Sequence, residues 1–250
     1  MSETTGALEG PAADWQRRVV SRSLRTARAR SIDRGSTLIR AATALLERSG
    51  GDTFTVQDIA DEAGQSLRTL YQYFESKDDL LLAVFEEAMS TYARMVERAI
   101  ADLDDPMERL AGALITVARL PELSGAGVNS GLARLRLKLA EVEPHLVGRS
   151  RAPVVELVRG LVEAAAAAGA IDTSEPEAMT YLLMSLNSAS TTSSTLGNDV
   201  GVHPPDAEML AGFCLQGLGA DVAPGWYDSI GGRLRLPARI TGRSLSAAAD

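Results

Sequence analysis

Apolar residues recur along most of this chain with the 3.6-residue period of an α-helix, and no segment shows the two-residue alternation of a half-buried strand. From about Asp33, the residues Leu38, Ile39, Ala42, Leu45 and Leu46 share one helical face, and Gly50-Gly51 ends that helix. Thr55-x-x-Asp58 is a capping box that opens a short second helix with Ile59, Ala60 and Ala63 on its apolar side, cut off by Gly64. Ser66 caps a third short helix, Leu67 to Phe74. Ser76-x-x-Asp79 opens a long fourth through Leu80, Val84, Ala88, Met89, Tyr92, Val96 and Ile100, stopped before Pro106.

The remainder reads the same way. Met107–Leu120 is bounded by Pro106 and Pro121. Gly131–Glu141 and Leu146–Ala168 flank Pro144, and Pro153 moves the start of the latter towards Ala152. Glu175–Thr195 and Asp206–Leu218 complete the set, although the hydroxyl-rich run Ser188–Thr195 competes with the backbone and favours an early end. The fold class is all-α, with about nine helices. Residues 1–30 read as a disordered Arg-rich arm, of which 15–30 also suits a marginal helix, and 31–78 as a helix-turn-helix domain. Residues 79–220 read as a larger helical domain and 221–250 as a Gly- and Pro-bearing tail that wraps or frays.

Composition changes this picture in two places. The 250 residues contain one cysteine and two histidines, His145 and His203, 58 positions apart, so no disulfide, thiolate zinc or His-rich metal site is expected. Both histidines adjoin prolines and read as loop or cap residues. Gly125-x-Gly127-x-x-x-Gly131 misses the dinucleotide fingerprint and reads as a flexible loop; Glu141 and Glu143, two apart, form no metal pair. No enzyme, cofactor or metal is expected. No apolar run is long enough to cross a membrane and the first 14 residues are polar, so a cytoplasmic protein without membrane partners is expected.

Charge is the second. The chain carries −8 overall, yet 11 basic and 7 acidic residues fall between Trp15 and Lys77, a local +4 that leaves −12 for the rest. Seven arginines lie between Arg17 and Arg34 against one acid, Asp33. A basic head on an acidic body is the footprint of one region meeting phosphates.

Two capped helices joined by a tight turn make a helix-turn-helix, whose second helix enters the major groove. Its face presents Gln65, Ser66, Leu67, Arg68, Thr69, Tyr71, Gln72 and Tyr73, with Thr55 at the start of the preceding helix and Lys77 at the start of the next. Arg68 suits a bidentate pair with guanine, Gln72 suits adenine, and the tyrosines and Lys77 suit phosphates.

The stretch from Ser36 to Val84 resembles the DNA-binding region of the TetR family of bacterial transcriptional regulators. Ala41-Ala42, Gly50, Thr55-Val56, Ile59-Ala60, Ala63-Gly64, the run Thr69-Leu70-Tyr71-Gln72-Tyr73-Phe74 and Ser76-Lys77-Asp78 carry the likeness. The resemblance implies an all-α homodimer that binds double-stranded operator DNA through its first three helices, holds a small-molecule effector among the next four and dimerises through the last two. Gln65 and Leu67-Arg68 depart from the family's usual small or aliphatic residues, so no operator is carried over. The leader is longer than usual, and Arg28 and Arg30 are candidates for the minor groove.

Apolar faces of Glu175–Thr195 and Asp206–Leu218 place Leu182, Leu186, Leu210 and Cys214 at the expected dimer interface, Cys214 itself being a buried small hydrophobe. The fourth helix is long enough to link a pocket to the recognition helix. Met89, Tyr92, Val96, Leu114, Val117, Tyr181 and Met184 are the expected pocket wall, apolar with two hydroxyls, and suit a hydrophobic or amphipathic effector. The expected function is a one-component regulator, most simply a repressor, released from a near-palindromic operator by its ligand. Two readings stand beside it: a helical ligand-binding protein or enzyme with a merely structural corner, and a regulator that needs a corepressor or protein partner.

Overall fold

A computed structural model of the chain describes residues 11–51, 53–196, 204–241 and 244–245; His203 and residues 1–10 of the expected arm fall outside them. Among the described residues there are eleven helices: α1 (Pro11–Ser49), α2 (Val56–Glu62), α3 (Leu67–Tyr73), α4 (Lys77–Ala99), α5 (Pro106–Leu123), α6 (Ala126–Val142), α7 (Pro144–Ser150), α8 (Ala152–Ala167), α9 (Pro176–Leu196), α10 (Ala207–Gln216) and α11 (Trp226–Arg233). The only β-type pairing among them is one bridge, Ser124 to Ile240.

Several boundaries differ from the sequence reading, each for a physical reason. The expected arm is helical where it is described, since α1 runs unbroken from Pro11. Its residues 17–34 are exposed, and local bonds such as Thr26 Oγ1 to the Arg22 carbonyl satisfy polar side chains within the helix. Helix α5 continues through Pro121 to Leu123, although proline offers no N–H to the carbonyl four residues back. The segment Gly125–Gly131 is not a loop. Most of it is the first turns of α6, where small residues let two helices touch: a Cβ at Gly127 would stand 1.9 Å from the Glu47 carbonyl oxygen, and one at Gly131 2.7 Å from Leu46 Cγ. Helix α9 does not stop early, because Arg136 of α6 donates to Ser188 Oγ (2.8 Å) and Thr192 Oγ1 (2.7 Å) and so holds the hydroxyl-rich turns.

One continuous core runs from the small N-terminal unit into the larger one. Leu38, Ala42 and Leu46 of α1 meet Ile59 and Ala60 of α2, Leu70 of α3, and Leu80 and Leu81 of α4. Further along, Phe85, Val96, Leu110, Ile115, Val158 and Leu215 join α4, α5, α8 and α10. The tail wraps: Ile240 N–H donates to the Leu123 carbonyl (2.7 Å), Thr91 Oγ1 donates to the Leu245 carbonyl (2.9 Å), and both tail side chains are buried. Arg119 of α5 ties α10 and α11 by pairing with Glu208 and donating to the Gly231 carbonyl.

Candidate functional site

The N-terminal corner is built by caps. Thr55 N–H (2.6 Å) and Oγ1 (2.8 Å) both donate to Asp58 Oδ2, while Asp58 N–H donates back to Thr55 Oγ1 (3.1 Å). These bonds hold the Asp58 carboxyl below the usual carboxylate range. Gly64 adopts a φ of +61°, the left-handed conformation that turns the chain from α2 to α3. Ser66 Oγ accepts from Thr69 N–H (3.1 Å) and opens α3. Arg48 of α1 grips Glu62 of α2 with both terminal nitrogens, and that bond holds the Glu62 carboxyl low. Ser76 caps α4 by accepting from Asp79 N–H, while Asp79 accepts from Glu75 N–H.

On this frame Thr55, Ser66, Arg68, Tyr71 and Gln72 are exposed on one corner. Others of the expected set face elsewhere. Gln65 Nε2 donates to the Arg34 carbonyl of α1 (3.2 Å), while Leu67 and Tyr73 pack partly against the core. Thr69 is half-buried and hydrogen-bonded to Ser66. The Lys77 ammonium donates to the Phe54 carbonyl and lies 4.7 Å from the centre of the Phe54 ring, so its charge pins the loop before α2.

The second site is a cavity of about 140 Å³ between α4, α5, α6, α8 and α9. Of the expected wall, Met89, Tyr92, Val117 and Met184 line it, joined by Phe85, Leu120, Pro121, Leu132 and Val154. Three expectations are corrected. Val96 and Leu114 are buried in the core away from it, and Tyr181 is 72% exposed on the outer face of α9. A helical stripe places residues on a face, and α4 and α5 bury more of that face than the cavity uses. Tyr92 hydroxyl lies 3.1 Å from Ser124 Oγ, which donates to the Leu120 carbonyl, so Tyr92 is the donor. Burial pushes its phenol up to about 12.

The polar end was missed by the sequence reading. Arg136 of α6, Arg151 between α7 and α8, Asn129, Asn187, Ser188 and Thr192 enter the same cavity, and no carboxylate lines it among the described residues. Burial holds both guanidiniums below the ordinary arginine value, and for Arg151 the neighbouring Arg136 charge adds to this. The available signal was a charge on the apolar face of α6, since Arg136 stands one turn beyond Leu132 and beside Leu135 and Leu139.

The expected dimer face is also corrected. Leu210 and Cys214 are each 8% exposed, buried against the chain's own α5 side, whereas Met209 (64%) and Phe213 (69%) stand out from α10; Leu182 and Leu186 on α9 are exposed, as the expected face requires. The apolar stripe on α10 is real, but it faces inward.

Residues 38–84 match the family model described as bacterial regulatory proteins, tetR family. Over 82 residues the chain is 39% identical to the HTH-type transcriptional regulator HbdR of Aromatoleum sp. (strain CIB), covering 33% of this chain and 36% of that regulator. Among solved structures, it is similar to RolR in complex with resorcinol (TM-score 0.62, 20% identity, 84% of this chain and 97% of that one). It is also similar to the regulator FadR from Bacillus subtilis in complex with stearoyl-CoA (TM-score 0.57, 20% identity, 75% and 98%). The chain spans about a third to a half of the length of the curated relatives it matches, and the structural likeness is one of fold.

Proposed function

We propose, from the match of residues 38–84 to the tetR family of bacterial regulatory proteins and the likeness to HbdR, that the chain is a TetR-family, ligand-responsive transcriptional regulator, acting as a homodimer on a near-palindromic operator. The observation that carries this reading is continuity. Helix α4 starts beside the exposed corner of Arg68 and Gln72 and contributes Phe85, Met89 and Tyr92 to the cavity. Helix α6 lines the same cavity and lies flush on α1 through Gly127 and Gly131. A ligand that favours one placement of α4 or α6 biases the recognition helix by the difference in its affinity for the two placements. The likeness to proteins solved with resorcinol and with stearoyl-CoA supports a small-molecule effector.

In this reading Arg68 and Gln72 address bases, and Thr55, Ser66 and Tyr71 contact the backbone of the duplex. The exposed apolar row of Tyr181, Leu182 and Leu186 on α9, with Met209 and Phe213 on α10, is the face that a second copy covers. Selection of bound duplexes from a random pool tests the proposal. An inverted repeat should be enriched, and its affinity should change when the cavity is filled. Binding that tracks salt alone, with no sequence enriched, would overturn it.

A further inference from the structure

On the reading that this cavity is the effector site, we infer that its ligand is a small organic anion, a carboxylate on an apolar body about the size of one aromatic ring or a short acyl chain. Arg136 and Arg151 enter the same cavity, and each is half-buried. Neither makes an ion pair with a carboxylate among the described residues, and the cavity wall contains no Asp or Glu. The half-buried Arg119, by contrast, meets a carboxylate, that of Glu208. Two neighbouring guanidiniums that are half-withdrawn from water and ion-paired with no carboxylate repel each other and lose hydration, and an anion placed between them offsets both penalties; Arg151 also borders the adjoining groove of Glu156 and Glu177 without pairing with either.

The arrangement is also oriented. Arg136 gives its two terminal nitrogens to Ser188 and Thr192, which fixes its side chain in the cavity wall. Arg151 makes no side-chain hydrogen bond among the described residues, so its planar fork is open to a carboxylate. The opposite end is apolar, formed by Phe85, Met89, Val117, Leu120 and Met184. A volume of about 140 Å³ is close to that of a cavity that holds one benzene.

Calorimetric titration of the full chain compares 3-phenylpropionate and hexanoate with their uncharged amides. The anions should bind at least about tenfold tighter, a difference of about 1.4 kcal/mol. Arg151→Gln and Arg136→Gln should each collapse that preference, and Arg151→Lys should keep part of it. Circular dichroism melting establishes that each variant is folded. Equal affinity for carboxylate and amide in the unaltered chain overturns the inference without recourse to any variant. So does absence of anion binding at millimolar concentration, or a preference that survives Arg151→Gln. DNA release is measured separately on the selected duplex. An anion that fills the cavity yet leaves DNA affinity unchanged upholds the anion site and overturns the effector reading.

Discussion

Arg68 and Lys77 lie nine residues apart in opposite settings. Arg68 is exposed and points away from the protein, while Lys77 spends its ammonium on the Phe54 carbonyl and ring. Arg68→Ala should lower operator affinity by about 1–3 kcal/mol and relax the preference at one base pair per half-site. Lys77→Ala should lower the melting temperature and weaken all duplexes alike while leaving the salt slope unchanged. A slope reduced by about one would place Lys77 on a phosphate instead. Asp58 and Glu62 add a pH dependence. Both carboxyls are held low in the fold, Asp58 by the Thr55 bonds and Glu62 by Arg48. Their stabilisation is therefore present above the unfolded carboxylate range, around pH 4, and is lost as pH falls through the lower folded values. The acid limb of melting temperature against pH should be shallower in Asp58→Asn than in the parent chain.

At the scale of elements, helices set by local signals were legible and those set by distant partners were not. Thr55, Ser66 and Ser76 announce three helix starts because a cap acts within its own first turn. The persistence of α9 through Ser188–Thr192 depends on Arg136, some fifty residues earlier, and no local rule contains that pairing. The same holds for α6, whose glycines look like loop residues until Glu47 and Leu46 are set against them. Gly127→Ala tests that contact. Its Cβ would meet a backbone oxygen, so α1 and α6 must separate, and chemical denaturation should show a loss of about 1–3 kcal/mol. Gly160→Ala, where a Cβ meets nothing within 4 Å, serves as the control and should be neutral or stabilising.

For the molecule as a whole, the all-helical architecture and the N-terminal corner followed from periodicity and motif, whereas the face for a second copy did not. A stripe of Leu210, Ala211 and Cys214 says that a surface must be buried, not what buries it, and the chain's own core does so here. The dimer prediction therefore moves to Leu186 and Phe213. Replacing both by glutamate should give monomers in sedimentation and cost most of the operator affinity, since a half-site alone buries little surface; an intact dimer would exclude this face. The flush contact at Gly127 has one more consequence. It holds α1 at Glu47, near its C-terminal end, while the helix extends the other way back to Pro11, roughly 54 Å at 1.5 Å per residue. A pivot of about 5° at that fulcrum sweeps the far end through about 5 Å. Trp15 rides there, exposed beside the arginine-rich turns, and its fluorescence should therefore register the filling of a cavity it never touches.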